Sequence, residues 1–174
     1  MAKGNPLLLK RKPQDLVTRV LVSRSTKNQD ESWMEFPITL RRLTGLDVLT
    51  GLDKGNELAA RFVWGGELLP PVDGQAVIVS HSACVVVGTL LTAQSGPQED
   101  RYNEFEFFAM MTDDEPGWDT ETVKVGDEEV TRPVRLPSLF EQLYDLKDEL
   151  SPTEEAPAND PLAKGAGQSS STPP

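Results

Sequence analysis

The sequence has little of the chemistry on which most enzymes and metal proteins depend. Its 174 residues include one cysteine, Cys84, and one histidine, His81. A single cysteine excludes an intrachain disulfide framework and argues against a cysteine-ligated zinc site. A single histidine likewise argues against a histidine-rich metal site.

Long apolar runs are also missing. No run reaches the roughly 18–20 residues that a membrane-spanning helix needs. The chain does not open with a charged segment followed by an apolar one, which is the pattern of a secretory signal. The sequence therefore predicts a soluble, cytoplasmic protein without a membrane partner.

Positive charge is scarce and unevenly placed. The sequence has 17 Lys and Arg against 28 Asp and Glu, a net charge of -11. Because phosphate binding needs a basic surface, this charge argues against a nucleic-acid partner. Residues 1–61 nevertheless carry +4, and residues 62–174 carry -15. This dipolar distribution favours a protein partner or head-to-tail association into an oligomer. The alternative is that both sets of charges are solvated surface.

The two ends of the chain read as segments outside a folded body. Residues 1–14 form a basic arm in which Pro6 and Pro13 oppose a continuous helix. The arm is predicted to be flexible, either as a loose terminus or as a strand that adds to a partner's sheet. Residues 151–174 are rich in Pro, Ala, Gly and Ser and predict a disordered tail. Residues 15–150, between these two segments, are predicted to form a single domain.

The body is predicted to open with a hairpin and a helix. Apolar and polar residues alternate over residues 16–25 and again from Trp33, which predicts two strands. Pro37 predicts that the second strand lies at an edge or is interrupted there, because proline donates no ladder hydrogen bond. A capping pattern of Thr44 with Asp47 then predicts a helix.

That helix is expected to end near Gly51–Gly55, where glycine commonly terminates helices, and a second short helix is expected over residues 56–64. Residues 76–91 are the most apolar stretch of the chain. Their length favours a buried helix. Their valines and isoleucine favour strands, so two short buried strands are the alternative.

The rest of the folded body is predicted to contain two helices with a second hairpin between them. Asn103 with Glu106 and Ser138 with Glu141 form capping patterns for these helices. Residues 118–135 alternate around a Gly-Asp turn and predict the hairpin. The expected fold is α+β: an N-terminal β-hairpin, a small and mainly helical body with a second short hairpin, and a disordered C-terminal tail.

No motif in the sequence indicates catalysis, a metal site or a cofactor site. His81 has no evident orienting partner, and Cys84 lies in an apolar run typical of buried cysteine. The acidic clusters at 113–115 and 127–129 lack the alternating spacing of calcium loops. Gly65–Gly66 is followed by an acidic residue that would repel phosphate. The sequence predicts a non-enzyme.

Two groups of residues are candidates for binding a protein partner. The first is a cluster in the helix that follows Asn103: Phe105, Phe107, Phe108, Met110 and Met111. At about 100° per residue, Phe107 and Met110 point away from Phe105, so part of the cluster meets a second surface. That surface is either a partner or the protein's own core. The second group is basic: Lys10, Arg11 and Lys12.

The segment Val20–Leu49 resembles small tail assembly chaperones of tailed bacteriophages. In that family a hairpin strand runs into a capped helix through a short motif, and the matching residues here are Leu40, Arg41, Leu43, Thr44, Gly45 and Asp47. The resemblance implies a role without catalysis in the host cytoplasm. The family holds a long helical tape-measure protein soluble while tail-tube subunits polymerise around it.

Two other functions remain open at this point. One is a structural tail or baseplate accessory protein of the virion, in which the basic arm extends into a neighbouring subunit. The other is a cellular adaptor whose acidic surface docks a basic partner. Each of the three functions requires a protein partner and no cofactor.

Overall fold

The computed structural model describes residues 16–152, which form two β-hairpins and four α-helices. The strands are β1 (Leu16–Lys27), β2 (Trp33–Arg41), β3 (Gly117–Val125) and β4 (Glu128–Leu136). The helices are α1 (Gly45–Ala59), α2 (His81–Ala93), α3 (Glu104–Met111) and α4 (Leu139–Leu150). The predicted α+β fold is confirmed. The predicted arm, and the predicted tail after its first two residues, lie outside the described part of the chain.

The first hairpin pairs β1 with β2 antiparallel and buries one face. Leu21, Ile38 and Leu40 on this face join the core. Pro37 lies opposite Val20 in a two-stranded sheet, where one side of every strand is an edge. The predicted edge position of Pro37 is therefore confirmed.

Helix α1 corrects the predicted break at Gly51–Gly55. It continues through both glycines to Ala59, and a single π-helical turn carries it on to Trp64. The glycines face α2 at very close range: a Cβ on Gly55 would lie 2.6 Å from the Val85 Cα. They serve helix–helix contact and not helix termination, so the separate helix expected over residues 56–64 does not form.

The apolar stretch of residues 76–91 contains most of α2. This helix begins at His81 behind the capping hydroxyl of Ser80, and residues 76–80 precede it without regular structure. Its centre is fully buried in the core. The prediction of a buried helix is thus confirmed from His81 onward, and the alternative of two strands is wrong. Between residues 16 and 152, no helix is both long and apolar enough to cross a membrane.

The three predicted helix starts are confirmed in atomic detail. Each has a reciprocal capping box, in which the cap side chain accepts from a backbone N–H and a carboxylate returns a bond to the cap residue. The pairs are Thr44 with Asp47, Asn103 with Glu106, and Ser138 with Glu141. Helix α4 then packs four leucines into the core.

The second hairpin, β3–β4, is called the ribbon below. Its strands pair without a register shift around a two-residue turn, where Gly126 adopts a φ of 68°. Most of its side chains are exposed. It meets the body at its base, where Gly117 is buried against the Arg24 side chain and Arg135 binds Glu141.

Candidate partner-binding surface

The aromatic and methionine cluster of α3 is not the docking surface that the sequence predicts. Phe107, Phe108, Met110 and Met111 are buried core residues. Phe105 alone in the cluster is exposed, with 38% of its surface accessible, and its ring packs edge-on against Phe62.

The correction has a simple packing reason. Helix α3 has the two apolar faces that its spacing predicts, but other parts of the same chain pack against both of them. The Phe107 ring packs 5.8 Å from Tyr102, and the Phe108 ring packs 5.6 Å from Phe62. The predicted second surface is therefore the protein's own core. The other predicted partner residues, Lys10, Arg11 and Lys12, lie outside the described residues.

An exposed apolar surface lies instead on α1. Four side chains form what is called the outer stripe: Leu46, Leu49, Leu52 and Trp64. Their exposed fractions are 74%, 59%, 40% and 66% respectively. The leucines are three residues apart, which places them along one side of the helix. The three leucines extend about 9 Å along α1 at 1.5 Å per residue, and Trp64 lies beyond them at the end of the π-helical turn.

The outer stripe is exposed because α1 buries its small residues. Gly51 and Gly55 lie against α2, where a Cβ on Gly51 would be 3.0 Å from the Thr89 Cα. Leu46 is five residues from Gly51, about 140° around the helix. The larger apolar residues consequently face away from the core. Sequence reasoning missed this surface, although two glycines four residues apart are a signal for close helix packing.

The start of the outer stripe is fixed to the rest of the fold. Both terminal nitrogens of Arg41 donate to the Asp47 carboxylate at 2.8 Å, and one also donates to the Thr92 carbonyl. The guanidinium lowers the pKa of Asp47 well below its ordinary value, with further hydrogen bonds from Thr44. Because β2, α1 and α2 meet in this network, the orientation of α1 is set at its first turn.

The far end of the stripe is also supported. The Trp64 ring lies 5.4 Å from the His81 ring, and the His81 Nε2 is 2.8 Å from the Asn56 Oδ1. His81 therefore supports the stripe and contacts an amide, not a nucleophile. Cys84 lies in the core as predicted, and burial raises the pKa of its thiol.

Two exposed acidic residues interrupt the outer stripe between Leu52 and Trp64. Asp53 is seven residues from Leu46 and Glu57 is eleven, so both continue its side of the helix. Lys54 binds Glu57 at 3.1 Å. Asp53 makes no ion pair within residues 16–152. Over the same range no group of three or more His, Cys, Asp and Glu side chains is placed to hold a metal ion.

A cavity of about 300 Å³ lies between the first hairpin and α3. Phe36, Tyr102 and Met110 supply part of its apolar lining, and Ser23 donates to the Asp113 carboxylate at its edge. Its volume is at the lower limit for a small-molecule site.

The ribbon has a second uncovered apolar face. Cross-strand pairing places Val123 opposite Val130, with Val125 beside the turn on the same face. Val134 is on this face too, four pairs along the ladder and beyond the Glu121–Arg132 ion pair. Val125 and Val130 are exposed. A two-stranded hairpin is marginally stable in isolation, so an uncovered valine face is a second candidate surface.

Searches against protein-family models, curated proteins and solved structures found no match. The resemblance to tail assembly chaperones consequently stays a prediction from the residues of Val20–Leu49. The function is argued below from the outer stripe.

Proposed function

We propose that this protein is a non-enzymatic phage tail assembly chaperone that binds an amphipathic helix of a tape-measure-like client in the host cytoplasm. The observation that carries the proposal is the outer stripe. Its three exposed leucines lie along one side of α1, and Trp64 is exposed at the end of the π-helical turn, beside His81. Exposed apolar surface of this kind marks interaction sites.

The stripe has the chemistry that a helical client requires. Leucines three residues apart form a ridge that packs between the apolar side chains of a second helix at 8–10 Å between axes. Burial of each leucine contributes roughly 1.5–3 kcal/mol. Asp53 and Glu57, which lie on the same side of α1 beyond Leu52, favour a client helix that carries basic residues beside its apolar ones.

The residues that carry the family resemblance support the same proposal. Leu40 and Leu43 are buried, Thr44 caps α1, and Arg41 fixes Asp47. Together they determine the direction in which α1 leaves the first hairpin. In this chain the motif therefore serves to present the outer stripe.

The ribbon favours the second candidate, a structural tail or baseplate accessory protein. Its valine face and unpaired strand edges suit insertion against a neighbouring subunit. A cellular adaptor needs only an acidic surface, and no single described feature distinguishes it. The two surfaces therefore provide separate tests of the two leading functions.

The test uses a synthetic amphipathic peptide of about 20 residues with leucines on one face and lysines on the other. We expect the full chain to bind it and to prevent its aggregation. Leu49→Ser with Leu52→Ser should weaken binding at least about tenfold, since two apolar anchors are lost. A scrambled peptide of the same composition should bind neither protein.

Val125→Ser with Val130→Ser is the matched control, because it removes two exposed apolar side chains elsewhere. Binding should be unchanged in this variant, and circular dichroism should show intact folding of both proteins. The chaperone proposal would be contradicted if both variants lost peptide binding equally, or if only the ribbon variant lost it. Loss only in the ribbon variant would favour the structural function.

A further inference from the structure

Both outer edges of the first hairpin are bonded to other parts of the chain. On β1, the Val22 N–H donates to the Gln142 side chain at 3.0 Å, and the Val22 carbonyl accepts from it at 2.8 Å. On β2, the Thr39 carbonyl accepts from the Ser95 N–H at 2.9 Å. Because an open strand edge is a template for pairing with a further strand, these contacts protect the first hairpin from such pairing.

The two edges of the ribbon are not equivalent. Pro133 has no N–H, so its pair with Thr120 is not one of the hydrogen-bonded pairs of the ladder. Since hydrogen-bonded pairs alternate with the others, the backbone groups of Thr120, and of every second residue from it, point out of the ribbon. On β4 the outward position at Pro133 lacks a donor, which interrupts that edge. The edge of β3 contains no proline and is the better template.

Two neighbouring outward residues of β3 have free backbone groups. The outward residues along the middle of this strand are Thr120, Thr122 and Lys124. The Thr120 N–H is occupied, because it donates to the Asp119 carboxylate at 2.7 Å. The backbone groups of Thr122 and Lys124 point away from β4, and no other residue within 16–152 bonds to them. An added strand can therefore pair at these two residues.

One antiparallel register pairs β3 with β3 of a second copy through these free groups alone. It places Val123 opposite Val123 of the second copy, on a two-fold axis. Thr122 of each copy then lies opposite Lys124 of the other, and the two pairs form four backbone hydrogen bonds. The β3 edge is thus complementary to itself.

The other symmetric registers are disfavoured by groups on the same edge. A two-fold axis at Glu121 or at Lys124 places like charges directly opposite each other, which destabilises a sheet. An axis at Thr120 or at Thr122 needs the Thr120 N–H, which Asp119 already holds. The axis at Val123 is therefore the register that the edge selects.

The same register extends the valine face of the ribbon. Residues that lie opposite each other share a face, so Val123 and Val130 of both copies form one row across four strands. Val125 of each copy lies beside this row. A two-stranded hairpin is marginal in isolation, whereas a sheet of three or more strands with an apolar face is stable. A strand of unrelated sequence would gain the hydrogen bonds without this row, which favours a second copy as the occupant.

We propose that β3 pairs with β3 of a second copy, antiparallel and centred on Val123, to form a four-stranded sheet. The interrupted edge of β4 ends the assembly at two copies. The paired segment is short, so this dimer belongs to the weak class of interfaces. The dimer goes beyond the proposed function and is independent of it, because no residue of the outer stripe takes part.

Single cysteines on the valine face test the pairing in the full chain. Val123→Cys should form a disulfide between two chains under mild oxidation, because Cα atoms of a non-hydrogen-bonded pair are about 4.5 Å apart. Val130→Cys is the matched control, since Val130 is on the same face but lies three strand spacings, about 14 Å, from its copy. Val123→Cys should react at least about tenfold faster. The native Cys84 is buried, so the wild type should not react.

Equal rates for Val123→Cys and Val130→Cys would overturn the inference. A faster reaction of Thr122→Cys would also overturn it, because that result would place Thr122 on the two-fold axis. The stripe variant Leu49→Ser with Leu52→Ser, combined with Val123→Cys, should keep the fast rate. Failure of the client site and failure of the dimer are therefore distinguishable.

Proline substitutions test whether the β3 edge makes the contact. Thr122→Pro in the Val123→Cys protein removes an outward N–H of β3 and should slow the disulfide at least about tenfold. Thr131→Pro is the matched control, because Thr131 lies opposite Thr122 and its N–H points out of the β4 edge. The control should keep the fast rate, and circular dichroism should show that both variants are folded. Equal rates in the two folded proline variants would overturn pairing through the β3 edge.

Discussion

Arg41 binds Asp47 through two parallel hydrogen bonds of 2.8 Å, and this pair joins the last residue of β2 to the first turn of α1. Both side chains are about one-fifth exposed. Asp47 also closes the capping box with Thr44. One carboxylate therefore both caps the helix and fixes its direction.

Replacing Asp47 with Asn should lower the free energy of unfolding at pH 7 by about 1–3 kcal/mol, because a charge-assisted bidentate pair and a cap bond are weakened. The pKa of Asp47 is lowered in the folded state. Its stabilisation is therefore complete above the unfolded pKa of about 4 and is lost as the pH falls towards the folded pKa.

Urea titrations at pH 7 and near pH 3 check this prediction. The difference between wild type and Asp47→Asn should shrink at the lower pH. Asp53→Asn is the control, since its carboxylate makes no ion pair in the described residues. A difference that stays constant with pH would show that the charge of Asp47 contributes nothing.

Gly88→Ala should destabilise the protein by at least about 1–3 kcal/mol, as overpacking does in a core without room. The added Cβ would lie 2.4 Å from the Gly55 nitrogen and 2.6 Å from the Gly51 carbonyl oxygen. Gly45→Ala is the matched control, because no atom lies within 4 Å of its added Cβ. Thermal melts should separate the two variants clearly; similar melting temperatures would contradict the close α1–α2 contact.

Phe107→Ala should lower the free energy of unfolding by about 3–5 kcal/mol, the usual loss for a fully buried aromatic side chain. Phe105→Ala should cost much less, since Phe105 is partly exposed on the same helix. Urea titration of both variants gives the comparison. If both substitutions changed the free energy of unfolding only slightly and partner binding alone was affected, the α3 cluster would be a docking surface.

Ser138→Ala should lower stability by about 0.5–2 kcal/mol through loss of the α4 cap. The Ser138 hydroxyl accepts from the Glu141 backbone N–H, and Glu141 returns a bond to the Ser138 N–H. Ser25→Ala, on an exposed part of β1, is the control. Equal stability of the two variants would mean that the capping box contributes nothing measurable.

Features set by neighbouring residues were predictable from the sequence. The three capping boxes depend on side chains three residues apart, and the ribbon turn depends on Gly126 with Asp127. Alternation identified the first hairpin for the same reason. Local chemistry decides such features before tertiary contacts form.

Features set by distant contacts were not predictable in the same way. Glycine normally favours helix termination, yet Gly51 and Gly55 continue α1 because α2 packs directly on them. The same contact turns the leucines of α1 outward. Similarly, the pattern in α3 gave two apolar faces, but only the packed fold shows that Phe107 and Met110 are covered by the chain itself.

The close contact of Gly51, Gly55 and Gly88 has an evolutionary consequence. None of the three positions tolerates a larger residue alone, because each Cβ would meet the facing helix at 3.0 Å or less. A surface such as the outer stripe can change with its partner, whereas this contact has no such freedom. Remote relatives should therefore be recognised by two small residues four apart in the first helix and a third in the next, even where every surface residue has diverged.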